Sequence, residues 1–232
     1  NIISMTDSKY IDVVYSAEKK PFTTYPKKLI KELVRKFDLS TDSSILELGC
    51  GRGEFLNEFI ALGMKGFGVD ISNYAKDFCK NAEIKVSDIT KEKLPYPDNY
   101  FDIIYSKSFI EHFYYPDEVF KEAYRVLKPS GIFINLTPEW QYIYKSFYED
   151  FTHRTPFTKK SLEDIHSITG FKDVKVESFK QLPVLWNNNI AVKKLFKFFS
   201  EVTRLLVPDY FRLKFKWIRF SKEIMLLSCG TK

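Results

Sequence analysis

The sequence predicts an α/β fold, a doubly wound, mostly parallel sheet of seven strands. Three observations carry that prediction. Strand-like and helix-like stretches alternate from residue 25 to residue 180, with helices of about ten residues, the rhythm of parallel βαβ units. Three glycines crowd into residues 49–53 of "ILELGCGRGEFL", behind an apolar run, in a chain holding only nine glycines in 232 residues. The alternation stops near residue 180, and a basic, aromatic segment then precedes a last strand-like stretch.

In chain order, "YPKKLIKELVRKF" sets Leu29, Ile30, Leu33, Val34 and Phe37 on one helical face, with Pro26 suited to the first turn. "SILEL" reads as a strand, "EFLNEFIAL" as a helix closed by Gly63, and "GFGVD" as a strand. "NYAKDFCK" (helix), "IKVSD" (strand), "YFDIIYS" (strand) and "DEVFKEAYRVL" (helix) follow. Lys128–Gly131 reads as a turn into the strand "IFINLT", and residues 158–169 as a helix stopped by Gly170. "KDVKVESF" and "EIMLLSCG" complete the strands. Residues 10–232 are expected to form a single domain. Within it, 138–160 form a loop or lid, and 181–220 a helical, aromatic insertion before the last strand.

Hydrophobic residues make up 44% and charged residues 28%, a globular balance. Cys50, Cys79 and Cys229 are odd in number, far apart and without a C-x-x-C pair. This predicts a reduced, cytoplasmic setting with neither disulfides nor a zinc site of familiar spacing. No run approaches the ~18 apolar residues of a membrane span, and "NIISMTDSKY" lacks the build of a signal peptide. Residues 1–9 are set outside the expected fold.

Glycine clusters cost backbone entropy, and the usual reason for one at a strand end is a ligand brought close to the main chain. A dinucleotide fingerprint, G-x-G-x-x-G, would place its third glycine where Glu54 stands. No G-x-x-x-x-G-K-[ST] phosphate cradle occurs either. The loop therefore suits a close ligand that brings no phosphates.

Here the chain resembles the class I S-adenosylmethionine-dependent methyltransferases, whose first motif [DE]-x-G-x-G-x-G is matched by Glu47 to Gly53. "GVDIS" and "VSDIT" match that family's next two acidic stations, and "YFDIIYSKSFIEHF" and "EAYRVLKPSGIFINLTP" its fourth and fifth strands. The resemblance covers residues 25–137. It implies a Rossmann-like sheet with an antiparallel last strand, and S-adenosylmethionine as cofactor. It also implies a cofactor site at Glu47, Gly49, Cys50, Gly51, Gly53, Asp70, Ile71, Asp88, Ile89 and Ser106, in which Asp70 receives the ribose hydroxyls and Asp88 lies near the adenine. For Cys50 a small buried residue is the alternative. The sulfonium charge agrees with an acid-flanked site.

A hydroxyl acceptor benefits from a base, and an amine must only arrive neutral. The [DN]-P-P-[YF] signature of base-amine enzymes is replaced by "SKSF" at 106–109, which counts against methylation of a nucleobase amine, though not against every RNA substrate. Of the three histidines, His166 sits mid-helix as a surface or packing residue. His112 follows the fourth strand, as a base or as a structural hydrogen-bonding group. His153, in "EDFTHRTPFT", lies where the family builds its acceptor pocket, flanked by Asp150 and Arg154, which are positioned to set its tautomer. Its D-x-T-H…F-T pattern resembles methyltransferases of glycan and surface-polysaccharide assembly. No trio of carboxylates is spaced to demand a metal. The aromatic run at 139–151 reads as an acceptor wall or as a lid helix.

Residues 190–220 carry eight positive charges against two negative, a surplus equal to the chain's whole formal charge of +6, among eight aromatic residues. Such a mixture suits an anionic membrane surface or an anionic or lipid-linked acceptor; the alternative is a helical lid with its lysines in water. The first expectation is O-methylation of a sugar or glycan intermediate. N- or C-methylation of another small metabolite comes next, then RNA or protein methylation or a non-catalytic cofactor-binding subunit.

Overall fold

The structure, a computed structural model, describes residues 21–232; residues 1–20, including 10–20 of the expected domain, lie outside the described residues. Among the described residues the elements run α1 (Tyr25–Phe37), β1 (Ser44–Leu48), α2 (Glu54–Ala61), β2 (Lys65–Asp70), α3 (Ala75–Phe78), β3 (Glu83–Val86), β4 (Phe101–Lys107), α4 (Pro116–Val126), β5 (Leu127–Pro138). They continue with α5 (Trp140–Ile143), α6 (Lys159–Ile168), β6 (Lys172–Phe179), α7 (Ile190–Leu206), α8 (Lys216–Lys222) and β7 (Met225–Thr231). The seven strands are ordered β3-β2-β1-β4-β5-β7-β6. The chain divides into two compact units, one of residues 21–106, 121–133 and 232, the other of 107–120 and 134–231.

In the first unit the strands are parallel and in register. Leu48 lies beside Val69 and Ser106, and Asp70 beside Val86, so the carboxyl ends of β1 to β4 share one edge. That edge is where sheets of this type take ligands. The apolar stripe read from the sequence is the buried face of α1, with Leu29, Ile30 and Leu33 fully enclosed. The helix expected over "NYAKDFCK" is only the turn α3. Cys79 leaves helical geometry there, and the Asn57 side-chain amide donates to the Phe78 carbonyl at 2.9 Å.

The expected turn at Lys128–Gly131 instead lies within β5. Ser130 takes φ 65°, yet the chain stays paired, because the Ser130 amide donates to the Lys232 carbonyl and the Lys232 amide to the Gly131 carbonyl.

In the second unit β6 and β7 are antiparallel, with Phe179 opposite Met225 and Lys175 opposite Cys229. Thr158 and Ser161 form a capping box at the start of α6, which fixes where that helix begins. His166 of α6 is a packing residue, fully buried, its Nε2 3.0 Å from Ser228 Oγ and its ring edge-on to Phe120 and Phe171. Burial holds its pKa down to about 3.

The 181–220 segment is mostly helical. Within it α7 buries Ser200, Trp217 Nε1 donates to Thr203 Oγ1, and Lys180 pairs with Glu201. No helix among the described residues is long and apolar enough to cross a membrane.

Candidate functional site

The glycine loop of the first unit follows β1 and is held by its own main chain. The Gly49 and Cys50 amides both donate to the Val69 carbonyl, at 2.8 and 3.2 Å, and the Gly53 amide to the Cys50 carbonyl at 2.7 Å. Gly49, Gly51 and Gly53 all take left-handed conformations, φ 67°, 52° and 73°, which other residues enter only with strain. A Cβ on Gly51 would meet nothing within 4 Å, so its surroundings are open. A Cβ on Gly53 would come within 2.8 Å of Cys79 Cβ, so Gly53 lets the loop close onto that side chain.

Asp70 ends β2 and ties two segments together. Its Oδ2 accepts the Gly51 amide at 2.8 Å and its Oδ1 the Ser72 amide at 2.9 Å. Each oxygen uses one acceptor direction and keeps another. Asp88 holds its own turn, accepting from the Thr90 amide and hydroxyl and pairing with Lys91 at 2.7 Å. Burial alone would raise its pKa; the Lys91 and Thr90 contacts outweigh it and hold the carboxyl below its ordinary range.

Glu47 is buried at β1, Ser106 is fully enclosed in β4, and Ile71 stands 42% exposed beside Asp70, with Ile89 half-buried beside Asp88. Burial, with the Glu47 and Asp70 carboxylates adding to it, pushes the Cys50 thiol far up, so it stays protonated. Arg52 is not presented as an anion ligand: its Nη2 pairs with Glu54 at 2.8 Å and its guanidinium lies over the Phe22 ring.

The second unit assembles a different cluster. Ile110–His112 form a single tight turn, and the 152–155 loop is strapped onto it. The Arg154 and Thr155 amides both donate to the Glu111 carbonyl, and Thr155 Oγ1 to the Phe113 carbonyl. The strap brings the His112 and His153 rings to 5.0 Å between centroids, so residues read from the sequence as alternatives stand side by side.

The expectation that Asp150 and Arg154 set the His153 tautomer is corrected. The His153 Nδ1 partner is the Phe147 carbonyl, at 2.6 Å, while Arg154 turns to the Phe151 and His153 carbonyls. A carbonyl only accepts, so His153 carries its proton on Nδ1.

Asp150 acts instead on His112, through Thr152. Asp150 Oδ1 accepts from the Thr152 hydroxyl at 2.6 Å, and Thr152 Oγ1 lies 2.8 Å from His112 Nδ1. The hydroxyl has one proton and gives it to the carboxylate, so its oxygen accepts from His112 Nδ1–H. With Nδ1 so engaged, a neutral form of either ring carries its lone pair on Nε2. Burial lowers the His112 pKa, with Asp150 opposing it.

Glu111, unremarked in the sequence beyond standing next to His112, is fully buried, with Oε2 accepting from Thr137 Oγ1 at 3.0 Å. Burial raises its pKa.

The family of methyltransferase domains matches residues 46–135, which include the glycine loop and the Glu111–His112 turn. Phosphoethanolamine N-methyltransferase 3 of Arabidopsis thaliana is 32% identical over 110 residues, covering 44% of this chain and 22% of that protein. Sterol 4-C-methyltransferase strm-1 of Caenorhabditis elegans is 33% identical over 116 residues, covering 47% and 35%. The chain thus spans well under half the length of these two relatives. The crystal structure of a SAM dependent methyltransferase from Archaeoglobus fulgidus superimposes with a TM-score of 0.65 at 24% identity, covering 97% of this chain and all of that one, a likeness of fold.

Proposed function

We propose that this chain is an S-adenosylmethionine-dependent methyltransferase whose first unit holds the cofactor and whose second unit handles the acceptor. The observation that carries the reading is the loop at 49–53. Three glycines take left-handed torsions there, the space at Gly51 is open, and Asp70 keeps an acceptor direction on each oxygen for a ribose diol. Arg52 is spent on Glu54, which suits a sulfonium ligand better than a phosphate. The match to methyltransferase domains and the names of the relatives support the same activity.

For the acceptor we propose a hydroxyl of a sugar or glycan intermediate. Two adjacent imidazoles, each with Nδ1 engaged, suit a nucleophile that must lose a proton. N-methylation of an amine or C-methylation of a lipid-like acceptor is the second reading, favoured by the names of the two relatives.

An anionic lipid surface is the proposed partner of α7. Leu195, Phe198, Leu205 and Leu206, at 52%, 64%, 67% and 76% exposure, line one side of that helix, and exposed Lys194 borders them.

Titration calorimetry with S-adenosylhomocysteine tests the cofactor. Asp70→Ala loses carboxylate hydrogen bonds and Gly51→Val forces a branched side chain into a left-handed position, so each should weaken binding by ~100-fold. Folded variants that both bind like wild type would sink the reading. Labelled cofactor with panels of nucleotide sugars, amines and sterols then tests the acceptor: O-methylated sugar is expected, and a methylated amine or sterol would move the assignment to the second reading.

A further inference from the structure

Glu111, His112 and His153 each direct one ligand-type atom into a common space, all within 4.8 Å of one another. We propose that these three residues form a binding site for a single divalent first-row transition-metal ion. Glu111 Oε1 is buried without a hydrogen-bond partner, although the side chain around it is fully enclosed and the other oxygen is satisfied by Thr137. An orphaned acceptor in a dry place is costly, and a cation removes that cost.

The two imidazoles supply a second, independent indication. Each has Nδ1 committed, His153 to the Phe147 carbonyl and His112 to Thr152, which is held in turn by Asp150. An imidazole that donates through one nitrogen to a carbonyl, or to a carboxylate relay, presents the other as a metal ligand. The set offers two imidazole nitrogens and one carboxylate oxygen, the donors that iron(II), manganese(II), cobalt(II) and zinc share. Three protein ligands leave coordination positions for solvent or for an acceptor oxygen.

The amides of 154 and 155 on the Glu111 carbonyl hold the strap that carries His153 against the turn that carries Glu111 and His112. The inference does not depend on the methyl-transfer reading. It sharpens it in one respect: a bound ion would lower the pKa of a hydroxyl acceptor, and the imidazoles would act on that acceptor through the metal.

Metal binding is testable without any acceptor. Full-length apoprotein, prepared with chelator, is titrated with Mn2+ by electron paramagnetic resonance and with Co2+ by visible absorption. One ion per chain is expected, with a cobalt spectrum of nitrogen and oxygen ligands. Glu111→Gln and His153→Gln, which keep side-chain size, should each lower affinity by ~100-fold. Asp150→Asn, which touches only the relay behind His112, should lower it by ~10-fold. A thermal shift on adding metal, present in wild type and lost in Glu111→Gln, controls for misfolding. Failure of folded wild type to bind either ion at millimolar concentration would overturn the proposal, as would undiminished binding in both glutamine variants. Calorimetry with S-adenosylhomocysteine on the same samples reports the cofactor separately, so loss of one reading leaves the other standing.

Discussion

The loop at 49–53 and the cluster at Glu111, His112 and His153 are both ligand-sized arrangements, but they are made from different parts of the chain. The loop is main chain: glycine torsions, amides on the Val69 carbonyl, and one carboxylate, Asp70, gripping an amide on each side. The cluster is side chain: two ring tautomers and one buried oxygen, fixed by a hydroxyl, a carbonyl and a carboxylate relay. A main-chain site depends on conformation, so it fails when a torsion becomes inaccessible. A side-chain site depends on single atoms, so it fails when one is removed.

The sharpest test of that contrast is His153→Ala. It should lower turnover by ~10²–10⁴-fold with affinity for S-adenosylhomocysteine nearly unchanged, read from kcat and from calorimetry on one preparation. Asp70→Ala should show the reverse emphasis. If His153→Ala weakened cofactor binding as much as turnover, the division of labour between the two arrangements would be wrong.

A middle-sized effect separates His166 from the other two histidines. Its pKa falls from the ordinary 6.5 to about 3 because it is buried in apolar surroundings. The unfolded chain therefore binds the proton more readily, and stability present above pH 6.5 drains away as pH falls toward 3. The wild type should lose about 2 kcal/mol between pH 7 and pH 5 from this group, a loss absent in His166→Gln, measured by urea unfolding at each pH. A slope unchanged by the substitution would show that His166 is not the group responsible.

The smallest effect belongs to α7, where affinity is the sum of many weak contributions. Binding to anionic vesicles at low salt should fall about fivefold in Lys194→Gln and fade as salt is raised, with neutral vesicles bound little. Absence of any vesicle binding by wild type at low salt would leave the exposed leucines and phenylalanines without that partner.

The same contrast explains what the sequence disclosed. The strand and helix order, the glycine loop and the acidic ends of the following strands are encoded by residue type at short spacing, so they can be read locally. The antiparallel pairing of β6 with β7 matches the expected reversal of the last strand. Glu111 was overlooked because nothing near it announces a ligand. Its meaning comes from Thr137 and from the strap at 152–155, both distant in sequence. Asp150 was seen beside His153, its neighbour in sequence, whereas the fold sends its hydrogen bond through Thr152 to His112. The early end of α3 escaped for a like reason: the side-chain amide that donates to its last carbonyl comes from Asn57.

Gly53 carries one further consequence. Because it has no side chain, the Cys79 thiol can lie against the loop, 1% exposed, with the loop shut over it. A thiol in that position behaves as a clock. An alkylating reagent should reach it only when this cover opens, so its rate of labelling would count such openings, and a molecule that pins the segment 49–53 down should slow the count. The glycine that lets the loop close so tightly also makes its motion measurable through an atom the protein already contains.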